Sequence, residues 1–361
     1  MKNLLNLYFT IGATLLTLSS CGDDQIDNYE EKTKILPKIE VVNLNSNLNN
    51  KNISDINNVT RYSGEFLSFQ SYEDFISTYN MLEQEMEINQ EYINTKVGIV
   101  NNEEELDAKF QQYNLDPLKP LKDFEKKYNY TSLRSDISIK ETEWLSRQSD
   151  IFDSEDPDNH FILDNILRTL LNKDAEIMVA GTILRNEEWG YIEIYNSDLT
   201  SYNKKYDAQS KEASNINVKI VNYPNTTNVC KVSTSYEYDF NTDTRRKMKI
   251  QSALQRDAPF RNNRIISKTK YLKKVVGVWL HKSADLYVKL QGFHGYDNRC
   301  GDNNPIFTEK RAYAGEIEVK FVNPMPAGAR SDLSIVQNKL FSTHEVWNTN
   351  RKIIDLYSGL K

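Results

Sequence analysis

Apolar residues follow two different rhythms along this chain, and the rhythm changes near residue 172. In the first half they recur at helical spacing. Phe75, Tyr79, Leu82 and Met86 succeed one another at intervals of four, three and four, which lines one face of an α-helix. Ser71 and Asp74 form a capping-box-like start to it, and Phe66-Leu67-Ser68-Phe69 just upstream reads as a short strand. Further helices are predicted over 102–113, 118–129 and 140–149. The most regular stretch runs from Asp158, as N-cap, to Leu171, with Ile162, Ile166, Leu167 and Leu170 on one side.

From Glu176 onward the period is two. Glu176–Arg185 and Tyr191–Tyr195 flank a short turn and predict a hairpin. Ile216, Val218 and Ile220 alternate with polar residues. Leu286, Val288 and Leu290 alternate with Tyr287 and Lys289. Ile317, Val319 and Phe321 alternate with Glu316, Glu318 and Lys320. Such alternation predicts antiparallel sheets with one face in water. Helices first and strands afterwards define an α+β chain with a sandwich-like, antiparallel C-terminal half. The expected organisation is a mainly helical region over 61–172 and a β-rich region over 173–361. The boundary near 172 is a working one, and the two regions can equally form a single domain.

The N-terminus carries a different pattern. Lys2 precedes an apolar stretch from Leu4 to Leu18, followed by Ser19-Ser20-Cys21. A positive start, a short apolar core and small residues describe a secretory signal. The core is too short, and too interrupted by Asn6, Thr10, Thr14 and Thr17, to span a bilayer about 30 Å thick. The arrangement resembles a bacterial lipoprotein signal over residues 1–20, which implies cleavage before Cys21 and lipidation of that cysteine. Residues 21–60 are expected to be a flexible tether, since eight asparagines lie between Asn43 and Asn58 and the apolar positions are too scattered to offset ordering entropy.

Charge sharpens this picture. Residues 101–158 hold fifteen acids against eight bases, whereas 245–274 hold eleven Lys and Arg against Asp257 alone. The basic segment either meets an anionic partner, such as lipopolysaccharide or an acidic glycan, or packs beside the acidic half, or forms solvated strand faces. It lacks any nucleic-acid recognition motif. Cys230 and Cys300 remain once Cys21 is assigned to lipid. In an oxidising compartment they can form a disulfide or stay as thiols, and neither has a C-x-x-C partner for a metal or redox motif.

Catalytic signatures are missing. There is no phosphate-binding glycine loop, nucleophile elbow or H-E-x-x-H zinc helix, and His160, His281, His294 and His344 stand far apart. No catalytic, metal or cofactor residue is assigned. Asp153, Glu155, Asp156 and Asp158 offer oxygen ligands for a hard cation, but they lack the glycine and distal glutamate of a helix–loop–helix calcium site. A helix cap at Asp158 and a solvated acidic loop account for them. Glu187-Glu188-Trp189 reads as a hairpin tip rather than a glycosidase pair, because adjacent side chains diverge. The segment Gly292–Asn304 suits a long surface loop, in which Phe293, His294, Tyr296, Asp297 and Asn298 are the candidate ligand residues.

The lipobox, the Gly22-Asp23-Asp24 run, the polar tether and the opening Phe66-Leu67-Ser68-Phe69-Gln70-Ser71-Tyr72-Glu73-Asp74-Phe75 together resemble the uncharacterised surface lipoproteins of Bacteroidetes, a family of unknown function. The passage Leu171–Val179 is also similar. This resemblance implies a lipid-anchored, surface-exposed outer-membrane protein and brings no activity with it. The expected role is non-enzymatic binding of an extracellular glycan or protein partner. A hydrolase whose acid and base meet only in the fold, and a structural subunit of an envelope or fibre assembly, are the alternatives. A pocket holding two carboxylates would favour the hydrolase, and a flat face of exposed aromatics would favour binding.

Overall fold

The computed structural model describes residues 37–44, 64–148, 155–197, 199–202, 217–222, 230–231, 234–243, 245–256, 259–260, 263–296, 299–322, 333–348 and 350–359. Two strands open the fold, β1 (Ile39–Asn43) and β2 (Glu65–Phe69). The tether expected over 21–60 therefore gives up residues 39–44, where Leu44 is buried and Val42 packs into an apolar cluster.

Five helices follow, and side chains set where most of them start. The Ser71 hydroxyl accepts the Asp74 N–H at 3.1 Å and begins α1 (Tyr72–Val97). Its buried face carries Phe75, Tyr79 and Leu82, as the spacing predicts. Asn102 caps α2 (Glu103–Tyr113), and Pro120 sits in the first turn of α3 (Lys119–Tyr128). The helix expected from residue 140 starts earlier, as α4 (Leu133–Arg147), because Ser132 caps it. The helix expected from Asp158 starts later, as α5 (Asn165–Leu170). Asp164 is its cap, with Oδ1 accepting the N–H groups of Ile166 and Leu167.

The first sheet is completed by β3 (Glu176–Val179), β4 (Thr182–Glu187), β5 (Gly190–Ile194) and β6 (Val218–Asn222), in the spatial order β1 to β6. The strand predicted over Glu176–Arg185 is two strands, because Ala180 and Gly181 both take positive φ and turn the chain. Glu188 and Trp189 form the expected next hairpin tip. Among the described residues only β2 and β3 pair in parallel, and helices α1 to α5 make the crossover that such a pair requires. Phe69, Phe75, Leu82, Leu121, Leu167, Ile177 and Leu184 fill the core between helices and sheet. Residue 172 thus lies inside a continuous structure, and Pro37–Lys361 form one compact unit.

A short helix, α6 (Leu199–Tyr202), and a two-residue strand, β7 (Cys230–Lys231), lead into the remaining sheets. The second sheet has β8 (Thr234–Asp243), β9 (Arg246–Arg256) and β10 (Asn263–Val275), with β11 (Val278–His281) and a later strand sharing the far edge of β10. The third contains β12 (Ala284–Tyr296) and β13 (Arg299–Ala314). The chain then returns to the second sheet as β14 (Glu316–Val322), and adds β15 (Leu333–Val346) and β16 (Asn350–Asp355) to the third. The third sheet is ordered β13-β12-β15-β16, and β7 pairs with the other end of β15. At Gly292, where φ is +136°, a Cβ would stand 2.0 Å from the Lys339 carbonyl oxygen, so only glycine admits the β15 backbone there.

Second and third sheets form the expected sandwich. Met248, Ile250, Leu254, Ile265 and Ile317 on one side meet Leu286, Val288, Leu290, Leu333 and Leu340 on the other. Alternation in the second sheet predicted water on its opposite face, and here the expectation fails. The helical region covers that face instead: Trp144 and Leu145 of α4 pack on Leu272 and Trp279, and Leu163 packs on Ala253 and Ile266. Helices, charged sheet face, apolar sandwich and outer sheet are stacked in that order. Helices in the N-terminal half and antiparallel sheets in the C-terminal part make the chain α+β.

Candidate functional site

Strand periodicity puts Lys249, Lys268, Lys270, Glu316, Glu318 and Lys320 on the helix-facing side of the second sheet. In the register, Lys270 lies opposite Lys249 on one neighbour and Glu316 on the other, and Lys268 lies opposite Glu318. Two lysines side by side repel unless an anion stands between them. Asp158 supplies it. Its Oδ2 is 2.7 Å from Lys270 Nζ and 3.6 Å from Lys249 Nζ, while Oδ1 accepts from Arg168 Nη1 at 2.6 Å. Asp156 adds a second anion, 2.5 Å from Lys249. Burial alone would raise the Asp158 carboxyl, but Lys270, Arg168 and Lys249 outweigh it and hold it well below the carboxylate range.

Two further nodes extend this layer. Asp164, besides capping α5, accepts from Tyr79 Oη at 2.5 Å and Arg264 Nη1 at 2.6 Å, with Lys320 Nζ at 3.5 Å. Glu103, at the start of α2, accepts from Arg246 Nε at 2.8 Å and Tyr271 Oη at 2.5 Å, and pairs with Lys273. Although burial opposes it, these donors lower its pKa to about 2. The basic 245–274 segment and the acidic helical half thus face each other, which is the packing alternative that the charge runs allowed. Asp156 and Asp158 are buried ion-pair partners, and neither a helix cap nor part of a solvated loop; Asp153 lies outside the described residues.

The layer reaches solvent in a cleft of about 260 Å³ between α4, the 116–118 turn and β10–β11. Glu141 lines it, 3.0 Å from Lys270 Nζ and 2.9 Å from Nε2 of the more exposed His281. Burial would raise Glu141, yet Lys270 and His281 prevail and lower it. Pro117, Leu118 and Ile137 form an apolar wall. A second cleft of about 480 Å³ lies between α1 and β13–β14, with Glu83, Glu87, Lys310, Glu318 and Lys320 in its walls. Asn165 and Glu316 line both clefts, joined by a 2.6 Å hydrogen bond from Asn165 Nδ2 to Glu316 Oε1.

Of the residues predicted to bind a ligand, Phe293 and His294 point to opposite faces of the sheet. Their expected surface loop is a β12–β13 hairpin in which Phe293 faces outward and His294 inward. His294 is 1% exposed, packs against Tyr296 and Phe321, and has Nδ1 3.0 Å from the Gly295 carbonyl oxygen. Asp297 and Asn298 lie outside the described residues, as does Cys21. The side chains of Cys230 and Cys300 are also outside them, but their strands are placed. β12 and β15 lie between β7 and β13. Three interstrand steps of about 4.8 Å exceed the Cα separation of about 4.4–6.8 Å that a disulfide accepts.

Of the histidines, His160 and His344 are structural. Nδ1 of His160 accepts the Ile162 N–H, and His344 sits inside the sandwich against Thr269 and Ser342. Only His281 reaches the cleft. Among the described residues no group of His, Cys, Asp and Glu is arranged to hold a metal ion, and no helix is long and apolar enough to cross a membrane. Sequence motifs missed Glu141, Asp158, Lys270 and His281 because they come from four separate segments. The signal that could have found them was the pairing of an acidic run with a basic one.

No protein-family model matches the chain, and neither does any curated protein. A solved structure of a DUF4848 family protein from Bacteroides thetaiotaomicron is similar at 11% identity and a TM-score of 0.19, covering 80% of this chain and 95% of that one. A score of that size assigns neither fold nor family.

Proposed function

We propose that this chain is a lipid-anchored protein of the cell envelope, attached through Cys21 and exposed at the surface of the outer membrane, that binds an extracellular ligand in the cleft between α4 and β10–β11. The observation that carries the reading is the cleft's floor. Lys270, Glu141 and Asp158 are fixed by one another beneath an open mouth, so donors and acceptors are held in place before any ligand arrives, which lowers the entropic cost of binding. Hydrolysis there is disfavoured, because both carboxyls are ionised and neither can serve as a general acid. Ser138 is exposed at the rim, and Ser138→Trp fills the mouth without entering the core. Thermal unfolding against polysaccharides and peptides should show a saturable shift of a few degrees that Ser138→Trp abolishes. A shift that survives the substitution places binding elsewhere.

One observation favours the hydrolase reading, at the second cleft. Burial raises the Glu318 carboxyl despite Lys320, while Lys268 and Lys270 hold Glu316, two residues away on the same strand face, at about 2. Carboxyls pushed apart in this way can divide acid and base roles. Glycoside turnover abolished by Glu318→Gln would establish it, and activity unchanged by that substitution would end it.

A further inference from the structure

Charge partners around the first cleft specify what it can hold. Lys122 is paired with Asp116 at 2.6 Å, Lys282 with Asp107 at 3.0 Å, and Arg134 with Glu125. Deeper in, Lys270 meets Glu141 and Asp158, Arg168 meets Asp158, and His281 meets Glu141. Every charged side chain in the lining already has an opposite partner among the described residues. An anionic ligand would have to take a cation away from a carboxylate, and a cationic one the reverse. At the buried pairs either exchange leaves a charge unpaired, which is costly, whereas the partly exposed Lys122–Asp116 and Lys282–Asp107 pairs add little to this.

What the lining keeps in hand is hydrogen-bonding capacity. Lys270 spends its three donors on Glu141 and Asp158, but a carboxylate accepts at up to about four sites, so Glu141 keeps an acceptor direction unused. Ser138 and Ser283 add hydroxyls at the rim. Pro117, Leu118 and Ile137 add apolar surface to the same lining. A complementary molecule is uncharged, has hydroxyls that both donate and accept, and has apolar surface between them. A sugar ring has those properties, and about 260 Å³ limits it to a short ligand. We infer that the cleft binds a neutral sugar unit, with hydroxyls towards Glu141, His281 and the rim serines and C–H groups against Leu118 and Ile137. This inference rests on the cleft being the ligand site.

Isothermal titration of the full-length protein in detergent tests it with D-galactose, L-fucose, N-acetyl-D-glucosamine, D-glucuronate, D-glucosamine and a mixed peptide pool. The expected result is saturable binding of a neutral sugar, nearly unchanged by salt, weakened about tenfold by His281→Gln and abolished by Ser138→Trp. Preference for glucuronate or glucosamine, with loss in Ser138→Trp, overturns the neutral-sugar inference and leaves the cleft as the site. Peptide binding alone, lost in Ser138→Trp, does the same. Binding of any probe that is indifferent to Ser138→Trp, or no binding by any of them, overturns the inference and the cleft reading together.

Discussion

Strands β10 and β12 read alike as sequences and meet opposite environments. Each alternates apolar or small residues with polar ones, Lys268 and Lys270 on β10 and Asp285, Tyr287 and Lys289 on β12, and each turns one side into the sandwich. On β12 the other side faces water: Lys289 and Tyr287 are half-exposed, Lys289 Nζ lies 4.8 Å from the ring of Phe307, and Tyr287 Oη donates to Glu309. On β10 the corresponding lysines, Lys268 and Lys270, are 0% and 2% exposed beneath the helical region. Period two states that a strand has two faces and does not say what lies over the polar one. That information sat about a hundred residues away, in the acidic excess of 101–158.

The largest effect should come from breaking the covered face. Lys270→Met leaves Asp158 and Glu141 buried with one cation fewer and should destabilise by about 3–5 kcal/mol, measured by denaturant unfolding. A cost below about 1 kcal/mol would mean that solvent in the cleft screens these carboxylates once Lys270 is gone. The companion substitution sharpens the point. Glu141→Gln should cost less in the Lys270→Met background than alone, with a coupling of about 0.5–3 kcal/mol. Strict additivity would show that the two groups act separately, contrary to their 3.0 Å contact.

Titration separates the faces next. His344, inside the sandwich, and His160, beside the charged layer, are both lowered to about 3, His344 by burial and His160 by burial and Arg168. Unfolded histidine takes up a proton near pH 6.5, whereas these stay neutral until about 3. The unfolded state therefore binds more protons in that window, and stability falls as pH drops through it, by up to about 1.4 kcal/mol per pH unit for each histidine. Replacing His344 with Gln should flatten the slope between pH 6.5 and 4.5. The carboxylates Glu316 and Glu103, each held near 2, lose their contribution as pH falls from about 4.5 to about 2. A slope unchanged in His344→Gln would show that water or a partner already protonates that ring in the fold.

Much of the fold was legible because local rules coincide with it. Ser71, the Phe75–Leu82 stripe and the β12 alternation each specify an element from a few neighbouring residues. The misassigned start of α5 shows where locality ends. Asp158 has the side chain and position of a helix cap, but Arg168, Lys249 and Lys270 bind its carboxylate more strongly, and Asp164 caps the helix instead. The cleft was illegible for the same reason. Glu141, Asp158, Lys270 and His281 are each unremarkable in their own segments and acquire a role only through three-dimensional pairing. Around Phe293 and His294 the residues that read as a loop continue β12 and β13, and Gly292 admits a tight β12–β15 contact.

The cysteines test the third sheet by itself. With two strands between β7 and β13, both thiols of a Cys21→Ala protein should react at once under denaturation without reductant, and replacing Cys230 with Ser should cost less than the roughly 2–5 kcal/mol of a lost disulfide. Thiols that appear only after reduction would require a different strand order from β13-β12-β15 with β7.

The smallest effect belongs to the open face. Lys289→Met removes a lysine at the same alternating phase as Lys270, with no buried carboxylate depending on it. Phe307→Ser removes a ring that is 66% exposed. Each should shift stability by no more than about 0.5 kcal/mol, about a tenth of the Lys270 cost, so identical chemistry on two strands separates by the layer above it. If Lys289→Met proved as damaging as Lys270→Met, the outer face of the third sheet would have to be covered in the purified protein. A change in sedimentation or scattering with protein concentration would then reveal a second copy seated there. With no such change, and with Lys289→Met near neutral, β12 remains the solvated half of the comparison and β10 the buried one.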